Sequence, residues 1–131
     1  MSKGVLAGKR GLIMGVANDK SIAWGIAQSA AREGAELAFS YQGEVLEKRV
    51  APLAQQVGAD MLTCDVTDDA SIDALFKALE DKWGSLDFIV HAIGFSNKDE
   101  LKGEYLGTSR ENFALTMDIS VYSFTEVTRK A

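Results

Sequence analysis

Short apolar runs alternate along this chain with helix-length amphipathic segments, and several of those segments close on a glycine. Residues 10–16 form a first apolar run, Glu36–Tyr41 (ELAFSY) a second, Met61–Cys64 a third and Leu86–Ile93 (LDFIVHAI) a fourth. Each run has the length of a strand, and the fourth is continuously apolar, as expected of a strand buried on both faces of a parallel sheet. The intervening segments repeat their apolar residues at helical spacing. They are Ile22, Ala23, Ile26, Ala27 and Ala30, then Leu46, Val50, Leu53 and Val57, then Ile72, Leu75, Phe76, Leu79 and Trp83. Gly34 and Gly58 stand where helices commonly stop, Asp68 is placed to cap the third helix, and Pro52 predicts a kink or break in the second. After a polar loop over 95–108 the pattern is helical from Ser109 onward, through Phe113, Met117 and Phe124.

Strands alternating with helices of this length imply crossover connections and a parallel sheet with helices on both faces. The expectation is a doubly wound α/β domain in three α/β/α layers. A complete dinucleotide-binding version has two β-α-β-α-β halves, and these 131 residues hold one and a fraction. The last helical pattern runs out without a Gly or Pro stop, so residues 1–131 are expected to be the front portion of a single longer domain.

Composition narrows the partners. A net charge of −5 argues against nucleic acid or an anionic membrane, both of which need clustered Lys and Arg. The single cysteine, Cys64, suits a reducing compartment. The opening Met1–Gly8 has no apolar leader core and no run is long enough to span a membrane, so the expected location is the cytoplasm.

In such sheets ligands bind beyond the carboxyl ends of the strands, near the point where strand order reverses. The first strand leads into Gly15-Val16-Ala17 and then Asn18-Asp19-Lys20-Ser21-Ile22. A pyrophosphate needs close backbone approach, which Gly15 offers, and donors at a helix start, which Ser21 and the Ile22 N–H offer. The same residues also suit a βα turn capped by Ser21 that binds nothing. After the second strand, neutral Gln42 can hydrogen-bond a ribose hydroxyl without repelling a 2′-phosphate. After the third, Asp65 and Val66 lie where an adenine would sit, although Asp65 equally suits a turn. After the fourth come Ala92, Ile93, Gly94 and Phe95, with Gly94 leaving room for a sugar. His91, the only histidine, and Cys64 both fall in apolar strands and read as packed core groups. Trp24 suits either surface or interface. The charged loop 95–108 reads as solvated, with a mobile substrate flap as the alternative.

The stretches GVANDKSIAWGIA, ELAFSYQ, CDV, HAIGF and DIS, in this order, closely resemble the enoyl-acyl-carrier-protein reductases of bacterial fatty-acid synthesis. These are a divergent branch of the short-chain dehydrogenase/reductases, with a Rossmann-like sheet. The stretched first loop, G-x5-S-x3-G, separates the branch from ordinary members, which carry T-G-x3-G-x-G. The resemblance implies NADH as cofactor. Gly15, Ser21 and Ile22 would meet the pyrophosphate and nearby ribose, Gln42 the adenosine ribose, and Asp65 and Val66 the adenine. Ala92, Ile93 and Gly94 would meet the central part of the cofactor, with Ile119 close to Gly94. Phe95 would border the nicotinamide and the acyl pocket. The implied reaction is reduction of a trans-2-enoyl thioester on acyl carrier protein, by a tetramer.

The family's catalytic pair, Y-x6-K, has no acceptable match here. Tyr41 and Lys48 have the spacing but fall on the adenosine side, and Tyr122 is followed by Arg129 in the last helix. No catalytic residue and no metal ligand is assigned, and these residues alone are expected to be inactive. The competing readings are a carbonyl-reducing dehydrogenase of the same superfamily, marked by Y-x3-K, and a non-catalytic nucleotide-binding remnant.

Overall fold

In a computed structural model the chain is described over residues 4–131; Met1, Ser2 and Lys3, part of the opening in which no apolar leader is expected, lie outside the described residues. Four parallel strands, β1 (Arg10–Met14), β2 (Glu36–Tyr41), β3 (Asp60–Thr63) and β4 (Phe88–His91), form one sheet in the order β3-β2-β1-β4. The chain steps outward from β1 to β3, then crosses back to place β4 on the other side of β1. Strand order therefore reverses between β1 and β4. Met14 sits level with Ser40 on one side and His91 on the other, so the strand tips end together.

Alternation along the strands sorts side chains into two apolar layers. Ile13, Leu37 and Phe39 pack with Ala23, Trp24, Ala27 and Ala30 of α1 (Ile22–Arg32) and Val50, Leu53 and Ala54 of α2 (Glu44–Val57). Leu12, Met14 and Ala38 face the opposite way, against Ile72, Leu75 and Leu79 of α3 (Asp69–Trp83) and Val127 of α5 (Ser123–Lys130). The expected three-layer α/β/α architecture is what forms.

Several local expectations change. β1 ends at Met14 rather than at 16, because Gly15 turns to φ +110° and leaves the extended region. β3 runs one residue earlier than read, at Asp60–Thr63. β4 is shorter than 86–93 and half-buried, with one edge unpaired among the described residues. On α1 the buried face is Ala23, Trp24, Ala27 and Ala30, while Ile22 is 81% exposed. Trp24 is core, edge-on to Phe39 at 6.4 Å between ring centres. α2 continues through Pro52: the Lys48 carbonyl loses its helical donor, but Lys48 and Pro52 both lie on the exposed face, open to solvent.

The capping expectations at Asp68 and Gly58 are met, whereas Ser21 stands at the N-cap of α1 without a side-chain hydrogen bond to its amides. Asp68 Oδ1 accepts from the Ala70 N–H at 3.0 Å at the start of α3, and Gly58 closes α2 in the left-handed conformation. The segment from Ser109 is not one plain helix. α4 (Arg110–Met117) and α5 are joined by a π-helical turn over Asp118–Tyr122. Such turns insert a residue and re-aim side chains, and they recur at functional sites. No helix among the described residues is long and apolar enough to cross a membrane.

Candidate functional site

The four strand tips open into a cleft of about 560 Å³, within the range of small-molecule sites. Gly15, Gln42, Asp65, Val66, Ala92, Ile93, Gly94, Phe95 and Ile119 all line it, together with Ser40, Cys64 and Leu115. Residues distant in sequence meet here because parallel strands bring successive βα turns to one end of the sheet. Ser21 and Ile22 do not line the cleft; they stand behind its loop, at the start of α1.

Ser21 organises that loop. Its Oγ accepts hydrogen bonds from the Ala17 N–H at 3.0 Å and the Asn18 N–H at 3.1 Å, while Asn18 Oδ1 accepts from the Lys20 N–H at 2.8 Å. With both lone pairs engaged, the Ser21 hydroxyl has only its proton left to offer, which makes it a donor suited to an anion. The N–H groups of Ile22 and Ala23 belong to the first helical turn, where no intrahelical acceptor exists. An anionic group at this corner would meet a hydroxyl donor, free amides and the positive end of α1.

Gly15 is also required by the packing of the strand tips. A Cβ there would overlap the Ala92 carbonyl oxygen and lie 2.7 Å from its carbon, so the absent side chain lets the β1 and β4 tips approach. At Gly94 the backbone is unstrained, and a Cβ would find only Ser120 Oγ, at 3.8 Å. Gly94 is thus the glycine that keeps the cleft itself clear.

Asp65 serves the turn and the cleft together. Its Oδ1 accepts from the Thr67 N–H at 2.9 Å and the Thr67 hydroxyl at 2.7 Å, and its own N–H donates to Ser71 Oγ at 2.8 Å. Oδ2 makes no hydrogen bond among the described residues. Cys64 is buried beside it. Burial pushes the thiol's pKa up, a hydrogen bond with Ser71 opposes this, and the charges of Asp65 and Asp68 raise it further. That makes Cys64 an inert thiol rather than a nucleophile.

His91 is equally far from acid–base work. Its Nε2 is 2.8 Å from Ser123 Oγ, its ring packs edge-on to Phe124 at 5.5 Å, and burial lowers its pKa against a smaller raising effect of a backbone hydrogen bond. The Ser123 hydroxyl donates to the Ile119 carbonyl at 2.6 Å, so the imidazole Nε2 is the donor toward Ser123. Tyr41 reaches the cleft, but Lys48 is exposed on α2 and is not among its lining residues. The Tyr122 hydroxyl donates to Glu126 at 3.2 Å on α5, away from the cleft. Among the described residues no cluster of three or more His, Cys, Asp or Glu side chains could hold a metal ion.

Sequence reasoning missed Ser40 and Ser120. Ser40 is buried at the tip of β2. Ser120 lies in the π-helical turn, and its Oγ accepts from the Phe95 N–H at 3.0 Å. A serine one position after Ile119 was the available signal, but only the extra residue of the π turn brings it onto Phe95.

A family model described as Enoyl-(Acyl carrier protein) reductase matches residues 15–131. Over 131 residues the chain is 65% identical to enoyl-(acyl-carrier-protein) reductase (NADH) 1 of Rhizobium meliloti, covering 99% of this chain and 48% of that protein. The crystal structure of FabI from Candidatus Liberibacter asiaticus superimposes with a TM-score of 0.96 at 56% identity, over 99% of this chain and 51% of that one. The enoyl-(acyl-carrier-protein) reductase of Anaplasma phagocytophilum, crystallised in complex with NAD, gives a TM-score of 0.94 at 52% identity, over 99% and 50%. The chain spans about half the length of the curated relatives it matches.

Proposed function

The chain belongs to the enoyl-(acyl carrier protein) reductase family, and on that premise we propose that it forms the NADH-binding front of an enzyme that reduces trans-2-enoyl thioesters on acyl carrier protein in fatty-acid synthesis. The observation that carries this reading is the meeting of side chains from four strand ends around one cleft, beside the amide-rich start of α1.

The residues fit a nicotinamide dinucleotide. Ser21 donates its hydroxyl and Ile22 its N–H to the pyrophosphate, while Gly15 and Ala17 shape the loop around it. Gln42 hydrogen-bonds the adenosine ribose, and Asp65 accepts from the adenine amine through its free oxygen, with Val66 against the ring. Ala92, Ile93 and Gly94 form a side-chain-poor floor under the central part, Ile119 closes it from the π turn, and Phe95 borders the substrate. When bound, the cofactor supplies a hydride. This chain's residues bind and orient it and exclude water. Gln42 is followed by Gly43 rather than by a basic residue, which favours NADH over its 2′-phosphorylated form.

Residues 1–131 are then the N-terminal part of one Rossmann-fold domain, with catalytic and substrate-binding residues beyond them. Among the described residues the second edge of β4 is unpaired and flanked by apolar grooves of about 310 and 540 Å³, which supports more chain packing there. Phe113, Met117, Val121 and Phe124 are exposed along one stretch of α4–α5, which supports a homo-oligomer, a tetramer in this proposal. Its place is the cytoplasm. The test is to offer the gene product carrying this chain crotonyl thioester with NADH and follow nicotinamide absorbance. Oxidation of NADH is expected. Reduction of a keto substrate in its place would make it a carbonyl-reducing dehydrogenase, and NADH binding with neither turnover would make it a non-catalytic remnant.

A further inference from the structure

The chain leaving β4 does not swing free. It runs back along α4 and the π turn, held by three side chains spaced four residues apart. The Phe95 N–H donates to Ser120 Oγ at 3.0 Å, and the Ser120 hydroxyl lies 3.2 Å from the Phe95 carbonyl as its donor. The Thr116 hydroxyl donates to Ser96 Oγ at 3.1 Å, and Asn112 Nδ2 donates to the same oxygen at 3.1 Å. The Asn97 N–H donates to Asn112 Oδ1 at 2.9 Å. Rising positions 112, 116 and 120 therefore meet falling positions 97, 96 and 95, as rungs of one ladder. Further out, Glu100 accepts from the N–H and hydroxyl of Ser109, closing the loop onto the start of α4.

This ladder inverts the helix's amphipathic pattern. Asn112 is buried, whereas Phe113 and Met117, the apolar positions of the same helix, are about half exposed. The polar face is turned inward because what it packs against is the Ser96 hydroxyl and the main-chain donors and acceptors of Phe95 and Asn97, not apolar side chains. Phe95 is 50% exposed although it lines the cleft. With the residue half exposed, packing alone does not fix it. Both of its main-chain polar groups are instead tied to a single hydroxyl.

We propose that Asn112, Thr116 and Ser120 are positioning residues, holding Phe95 at the cleft mouth and so setting the opening through which the thioester substrate approaches. The inference rests on the reductase reading given above. The gene product carrying this chain is compared with its Thr116→Val/Ser120→Ala variant by amide hydrogen exchange and by kinetics on crotonyl thioester. Each lost rung is worth about fivefold, so exchange in the 95–108 peptide should rise roughly tenfold or more. KM for the thioester should rise about fivefold, with kcat within about twofold and NADH affinity unchanged. Thr116→Ser, which keeps the hydroxyl, should behave as wild type. Unchanged exchange, or faster exchange with an unchanged KM, overturns the proposal. A wild-type protein that turns over no enoyl thioester overturns the reductase reading and the substrate role with it, while faster exchange in the variant would still establish the ladder as the hold on Phe95.

Discussion

Gly15 and Gly94 look interchangeable in sequence, two small residues beside one cofactor, but the structure assigns them opposite failures. Gly15 sits at φ +110°, and an added Cβ overlaps the Ala92 carbonyl oxygen. Holding alanine in that backbone region costs about 1–3 kcal/mol. Forcing the β1 and β4 tips apart adds about 1–3 kcal/mol of overpacking. Gly15→Ala should therefore lose about 2–6 kcal/mol, a large share of a typical stability of about 5–15 kcal/mol. With a urea dependence of about 2 kcal/mol per M, the unfolding midpoint falls by about 1–3 M. Gly94→Ala meets only Ser120 Oγ at 3.8 Å, so stability should stay within about 0.5 kcal/mol. Its methyl narrows the cleft, and NADH affinity should fall about tenfold, a cost of about 1.4 kcal/mol. Urea unfolding followed by tryptophan fluorescence and an NADH titration on the same two variants separate the effects. A Gly15→Ala protein within about 1 kcal/mol of wild type, or a Gly94→Ala protein less stable than Gly15→Ala, would refute the reasoning.

Ser21→Ala removes the acceptor for two loop amides and the donor left for an anion; we expect a stability loss of about 1 kcal/mol and NADH binding weakened about tenfold, both read by titration and urea unfolding. His91 is held neutral by burial, its folded pKa below the ordinary 6.5. The unfolded chain therefore takes up the proton first, and stability present above pH 6.5 should be lost as pH falls through the lowered folded value. His91→Gln should remove that part of the pH dependence in unfolding midpoints. Cys64, buried with a raised pKa, should react with iodoacetamide more than about tenfold slower in the native protein than in urea; equal rates would contradict its burial.

Much of this arrangement was legible in the sequence because it depends on local periodicity. The alternation of apolar runs and amphipathic segments specifies strands and helices, and the parallel sheet then brings Gly15, Gln42, Asp65 and Gly94 to one end without further information. What the sequence concealed depends on neighbours. Among the described residues β4 stands at one side of the sheet although Leu86–Ile93 is apolar enough for an inner strand, a composition that fits the further chain proposed to pack there. Ile22 and Ile26 fit the helical stripe of α1, but the small residues Ala23, Ala27 and Ala30 are what allow close approach to the sheet. The 112/116/120 stripe was overlooked for the same reason. Polar residues at helical spacing normally mean solvent, and only the returning loop makes them an inner face.

The account stands most directly on where the dinucleotide lies, and a crystal structure of the gene product carrying this chain, grown with NADH, measures that. The account predicts the pyrophosphate beside the Ser21 hydroxyl and the Ile22 N–H, adenine between Asp65 and Val66, and the central ribose over Gly94. NADH bound away from the tips of β1, β2, β3 and β4, or bound there with no contact to the Gly15–Ile22 turn, would contradict it.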